Sequence, residues 1–110
     1  MISVRISEDA LRDLNDGFLF YDAQEAGLGD YFAACLRADI EGLRISAGIH
    51  RLIYRDYYRL LSRIFPYGIF YTVERDCAVV WAVIDLRRDP AWIREKLREQ
   101  HRTMRSTEQP

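Results

Sequence analysis

The chain has 110 residues, 49% hydrophobic and 30% charged, with a formal net charge of −1; these values suit one soluble globular domain that buries roughly two thirds of its unfolded surface without metals or disulfides. No apolar run approaches the ~20 residues of a membrane span, and the opening MISVRISEDA has neither the basic nor the apolar block of a signal peptide, so the expected location is the cytoplasm with no membrane partner. The near-neutral balance also argues against an indiscriminate polyanion binder.

Ile2, Val4 and Ile6 alternate with Ser3 and Arg5, the period of a short half-buried strand. Ser7 then offers an N-cap, with Glu8 and Asp9 favourable beside the positive end of a helix. Leu11, Leu14, Phe18 and Tyr21 recur at helical spacing, which predicts a first helix to about Ala26, ended by Gly27-Leu28-Gly29. Asp30 is expected to cap a second helix whose stripe is Phe32, Leu36, Ile40 and Leu43, with Cys35 beside it. So short a turn predicts an antiparallel helical hairpin.

From Ser46 to Asp56 the pattern breaks around Gly48 and reads as a connecting loop. Arg51, Arg55, Arg59 and Arg63 recur every four residues, a spacing that on a helix would stack like charges. Tyr57, Tyr58, Leu60, Leu61 and Ile64 instead favour a strand over residues 57–65, with Arg59 and Arg63 on one face. Phe65-Pro66-Tyr67-Gly68 interrupts it. Ile69 to Glu74 reads as a third strand, Arg75-Asp76 as a tight hairpin, and Cys77 to Leu86 as a fourth strand. The apolar run from Cys77 to Ile84 leaves that last strand no face for water.

Asp89 and Pro90 mark a helix start, an N-cap acceptor followed by a residue whose missing N–H had no partner there anyway. That helix presents Trp92, Ile93 and Leu97, with Arg94, Arg98, Arg102 and Arg105 on another side as a polar face. The predicted order is β-α-α-β-β-β-α, an α+β domain over residues 1–103 whose helical hairpin packs on a small, mainly antiparallel sheet; residues 104–110 read as a flexible tail.

Cys35 and Cys77 show no disulfide or metal spacing, and His50 and His101 are isolated, so neither a metal nor any other cofactor is expected. Charge is uneven: residues 1–50 hold four arginines against nine acids, whereas residues 51–110 hold twelve basic residues against eight acids. All but one of the basic residues are arginine, suited to bidentate contact with phosphate or carboxylate. Arg87 and Arg88 sit at a strand-to-helix junction, where side chains carry function more often than packing.

The segment FPYGIFYTVERDCAVVWAVIDLRRDP, residues 65–90, resembles the C-terminal half of RelE/ParE-superfamily toxins of bacterial type II toxin–antitoxin systems. The shared features are the Phe-Pro-Tyr turn, a strand of the form Ile-x-Tyr-x-Val, a hairpin, an apolar strand and a doubled arginine before Asp-Pro. More weakly, the resemblance extends over the N-terminal strand and helical hairpin. It implies a cognate antitoxin as partner and one of two activities.

The RelE-like branch cuts messenger RNA on the ribosome; the ParE-like branch inhibits DNA gyrase by binding. In the RNase branch an arginine follows the turn aromatic, where this chain has Gly68. A second arginine matches Arg88, and a basic residue of the second strand falls near Arg59. A C-terminal tyrosine completes that site, whereas the stretch Asp89 to Arg94 has none. Tyr67, Tyr71 or Asp85 would have to substitute. The resemblance therefore implies a ParE-like toxin that binds a host target, with the endoribonuclease and an inactive toxin-fold binding protein as alternatives.

Arg59, Arg63, Arg87 and Arg88 are expected near one end of the sheet as an anchor for target or antitoxin, or else as solvated arginines paired with Asp56, Asp85 and Asp89. Trp92, Arg94 and an apolar groove near Ile93 and the helical hairpin are expected to receive an amphipathic antitoxin segment.

Overall fold

The computed structural model describes the backbone of residues 1–108 and the side chains through Arg102. In chain order the elements are β1 (Ser3–Ile6), α1 (Glu8–Gln24), α2 (Leu28–Glu41), the single turn α3 (Leu43–Ser46), β2 (Arg51–Tyr54), β3 (Tyr57–Leu61), β4 (Tyr67–Glu74), β5 (Cys77–Asp85) and α4 (Pro90–Glu108). They form one five-stranded sheet in the order β1-β5-β4-β3-β2. β1 runs parallel to β5, and every other pairing is antiparallel.

The α+β order anticipated from the sequence stands, with one strand added inside the stretch read as a loop and one helical turn added just before it. β2 is only four residues long and carries an irregularity between Leu52 and Tyr54, so its alternation is too brief to register. β3 stops at Leu61 rather than continuing to residue 65. Beyond it the Ser62 hydroxyl (2.7 Å) and the Arg63 N–H (3.3 Å) both donate to the Asp39 carboxylate, so Arg63 leaves the strand and shares no face with Arg59.

Ser7 caps α1 as expected, accepting from the Ala10 N–H at 3.1 Å. Asp30 does not cap α2. The helix begins three residues earlier, at Leu28, after Gly27 in the left-handed region (φ 92), and the Asp22 carboxylate accepts the N–H groups of Gly27 (2.9 Å) and Gly29 (3.2 Å). The buried line of α1 runs through Ala10, Leu14, Gly17 and Tyr21; Leu11, one residue off that line, is 43% exposed.

The helical hairpin and α4 take opposite faces of the sheet. On the hairpin face, Leu14 and Tyr21 of α1 and Phe32, Leu36 and Ile40 of α2 close over Ile69, Tyr71, Val80 and Val83. On the other, Leu97 of α4 packs on Tyr57, Phe70, Ala82 and Ile84. The register of β4 and β5 skips Trp81, whose indole N–H donates to the Thr72 hydroxyl at 2.9 Å. No helix among the described residues is long and apolar enough to cross a membrane.

Candidate functional site

β5 delivers the chain to the junction that stood out in the sequence. Asp89 caps α4, its carboxylate accepting from the Ala91 N–H at 2.9 Å and its carbonyl from the Ile93 N–H at 3.1 Å. The two arginines before it have different surroundings. Arg87 is held by Asp85, with its Nε at 3.0 Å and Nη2 at 2.8 Å from the carboxylate oxygens, and its Nη2 also reaches the Tyr21 hydroxyl at 3.4 Å. The Arg87 guanidinium holds the Asp85 carboxyl below its ordinary value, and Asp85 in turn raises Arg87. Arg88 has no carboxylate partner among the described residues; its guanidinium lies over the Trp92 ring, 4.1 Å from the centroid. The anchoring and the salt-bridged readings of the doublet thus divide between its members: Arg88 is available, Arg87 is engaged.

A cleft of about 440 Å³ opens beside Arg88, between α1 and the start of α4. Asp13, Asp16, Gly17 and Phe20 form one wall, Asp85, Arg88, Trp92 and Lys96 the other, with Tyr67 and the end of β5 at its base. Asp13 fixes this geometry. One carboxylate oxygen accepts the Val83 N–H at 2.9 Å, on the edge of β5 beyond the last residue paired with β1, and the other accepts from Lys96 at 2.6 Å. Burial raises the Asp13 pKa above its ordinary value, while Lys96 and the Val83 N–H oppose the rise. Ile93 packs in the α4-side core instead of lining the cleft, so the groove expected to be apolar is mixed, with aromatic walls and charged groups of both signs.

The other residues singled out in the sequence are dispersed. Tyr67 is only 7% exposed and burial pushes its hydroxyl up to about 12, so it is no base at neutral pH. Tyr71 lies wholly inside the hairpin-side core, accepting the Gly48 N–H at 2.9 Å and paired with His50 Nδ1, and burial raises it too. Arg59 stands inside the sheet, level with Phe70 and Arg51. Arg63 and Arg94 are exposed and line neither wall. Arg98 and Arg102 pair along α4 with Glu95 (2.8 Å) and Glu99 (3.4 Å), and the side chain of Arg105 lies outside the described residues.

Gly68 is filled by its neighbours: a Cβ there would come within 3.0 Å of both Leu86 Cδ2 and Phe70 Cε1. Asp13, Asp16, Gly17, Phe20 and Lys96 escaped the sequence reading, because they looked like the solvated faces of two helices. Lys96 did carry a signal, being the one lysine among sixteen basic residues. A compact ammonium suits a single carboxylate oxygen where a guanidinium fork does not. No group of three or more metal-ligating side chains occurs among the described residues.

No protein-family model matches the chain, and no curated protein matches it by sequence. Solved structures do match its fold. One is a chain of the chromosomal ParDE TA system from P. aeruginosa, with a TM-score of 0.72 at 12% identity over 77% of this chain and 96% of that one. Another is the isolated E. coli RelE toxin, with a TM-score of 0.58 at 17% identity over 89% of this chain and 98% of that one.

Proposed function

The fold being that of RelE/ParE-superfamily toxins, we propose that the protein is the toxin of a type II toxin–antitoxin pair and acts by stoichiometric binding to a host protein, DNA gyrase, in the ParE manner. The observation that carries the choice of binding over cleavage is Gly68. At the position where the RNase branch has an arginine, this chain offers no cation, and a Cβ there would crowd Leu86 and Phe70 at 3.0 Å. Of the three residues that would have to manage the attack of a 2′-hydroxyl, Tyr67 and Tyr71 are buried with raised pKa values and Asp85 is engaged by Arg87, which holds its carboxyl below the ordinary value. Arg88 and Trp92 remain at the cleft mouth as an exposed cation on an aromatic ring, residue types that dominate protein-binding hot spots. A cognate antitoxin neutralises the toxin in the cytoplasm by covering this cleft.

Expression from a tight promoter in a bacterium lacking the antitoxin, with thymidine and methionine incorporation followed over the first minutes, tests the reading. An early stop in DNA synthesis is expected. Early loss of protein synthesis would favour the endoribonuclease, and normal growth with soluble protein would remove toxicity altogether. Arg88→Ala is expected to abolish the growth arrest while leaving the thermal midpoint within a few degrees, since Arg88 holds no ion pair.

A further inference from the structure

β2 is the outer strand of the sheet; β3 is its one neighbour, and its other edge faces no strand. Arg51, Arg55, Arg59 and Arg63 fall on or just beyond this β2–β3 ribbon, and none forms an ion pair among the described residues. Arg51 stands directly opposite Arg59, where like charges destabilise a strand pair. Beside them, three buried side-chain atoms lack a hydrogen-bond partner: Arg59 Nε, the Tyr57 hydroxyl and His101 Nδ1. They are the only such atoms found among the described residues, and they sit together. Arg59 follows Tyr57 by two positions on one face of β3, and the His101 ring is 6.3 Å from that of Tyr57, which has no exposed surface. Native interiors leave few polar groups orphaned, so polar capacity remains unused beneath the Arg51–Arg59 row. Apolar exposure coincides with it. Leu52 is 54% exposed, and Ile49, just before the strand, is 78% exposed.

We propose that β2 receives an extended acidic segment of a protein partner as a sixth strand, with a carboxylate placed opposite Arg51 and an apolar side chain beside Leu52. The two requirements fall on successive residues because neighbouring side chains of a strand face opposite sides of the sheet. The partner's backbone pairs with the free edge, which supplies affinity, and the carboxylate supplies the anion that the Arg51–Arg59 row lacks. A second copy of this chain fits poorly, since two β2 strands side by side would bring four unpaired arginines together. A nucleic acid would satisfy the arginines but leave the edge and the exposed Leu52 and Ile49 unused. Protection of the edge by charge and irregularity explains the arginines, not the exposed apolar side chains.

Short peptides alternating valine with glutamate, glutamine or lysine, and an oligouridylate, are titrated at up to millimolar concentration into the full chain while backbone amide shifts are followed. The glutamate peptide is expected to bind, to shift residues 49–54 first, and to lose at least about tenfold in affinity on Arg51→Glu, which should then favour the lysine peptide. Arg51→Gln, a milder change that keeps the fold if the reversal does not, should abolish the preference for glutamate over glutamine. Equal binding of the three peptides, no binding, shifts centred elsewhere, tighter binding of the oligouridylate, or a concentration-dependent dimer protecting β2 would each overturn the proposal. The assay reads no toxicity, so its failure and the failure of the toxin reading are separate results.

Discussion

Gly17 is the point where α1 crosses Phe32: a Cβ built on it would lie 2.4 Å from Phe32 Cε2. The Phe32 ring has no exposed surface and is wedged edge-on to Phe65 and Tyr67 and stacked on Tyr21, so it has nowhere to move. Gly17→Ala is therefore expected to cost about 1–3 kcal/mol by overpacking, even though alanine is the better helix former by about 1 kcal/mol. A urea midpoint equal to or above that of the parent would show that the crossing yields. His50 offers a second test at this scale. Burial lowers its pKa below 6.5 in the folded protein, where Nδ1 meets the Tyr71 hydroxyl. Between the folded and unfolded values the unfolded chain binds the additional proton, so stability falls as pH drops below 6.5 and through the folded value. His50→Asn, whose side chain does not titrate, is expected to flatten the decline in thermal midpoint between about pH 7 and 5; an unchanged slope would place the pH response elsewhere.

Among the elements, α4 is tied to a distant part of the chain by two side-chain contacts with α1, Gln100 donating to Asp9 at 3.0 Å and, nearer the cleft, Lys96 to Asp13. Lys96 and Asp13 are 83 residues apart, yet their bond at 2.6 Å ties α4 to α1, which is tied in turn to β5 through Val83. Lys96→Met keeps the packing of the stem and removes the charge, which leaves a mostly buried carboxylate short of its main counterion. We expect a loss of about 1–3 kcal/mol at pH 7 that shrinks toward pH 4, because Asp13 can then take up a proton. The sign follows from the direction of the shift. A carboxyl raised above its unfolded value binds protons more tightly in the fold, so its stabilising effect lies at low pH and is lost as pH rises. A loss that does not depend on pH would mean that Lys96 acts through its stem alone. This contact was invisible in the sequence because neither partner belongs to a local pattern. The stripes Leu14–Tyr21 and Phe32–Leu36–Ile40 were legible because a helix repeats its buried face, and the Asp89-Pro90 start because cap chemistry is local. β2 was not: four residues with an irregularity and an arginine at each side offer no period.

At the scale of the molecule, one sheet carries two cores of unequal size. The hairpin side joins α1, α2 and four strands, whereas the other side is closed by Leu97 with partial cover from Ile93 and Trp81. The charge imbalance read from the halves of the chain has a structural counterpart, since the acidic first half supplies the helical hairpin and the basic second half supplies β2, β3 and α4. The doublet at the end of β5 was legible because a strand, a cap and two cations adjoin in sequence. The opposite wall of the cleft was not, because Asp13, Asp16 and Phe20 reach it only once α1 has folded back along β5. The asymmetry of the cores has a thermodynamic consequence. Leu36 and Leu97 are equally buried, and replacing either by alanine removes the same atoms, so each is expected to cost about 2–5 kcal/mol locally. Leu36 lies in the larger core, which joins both helices of the hairpin to four strands, so Leu36→Ala should lower the hydrogen-exchange protection of β4, β5 and α2 together. Leu97 lies under an element held by one ion pair, the Gln100–Asp9 hydrogen bond and one small core, so Leu97→Ala should open α4 by sub-global unfolding and leave β4 and β5 protected to the parental level. If both substitutions lowered protection uniformly, α4 would belong to the same cooperative unit as the sheet, and the cleft wall that carries Trp92 and Lys96 would be as rigid as the wall that carries Asp13.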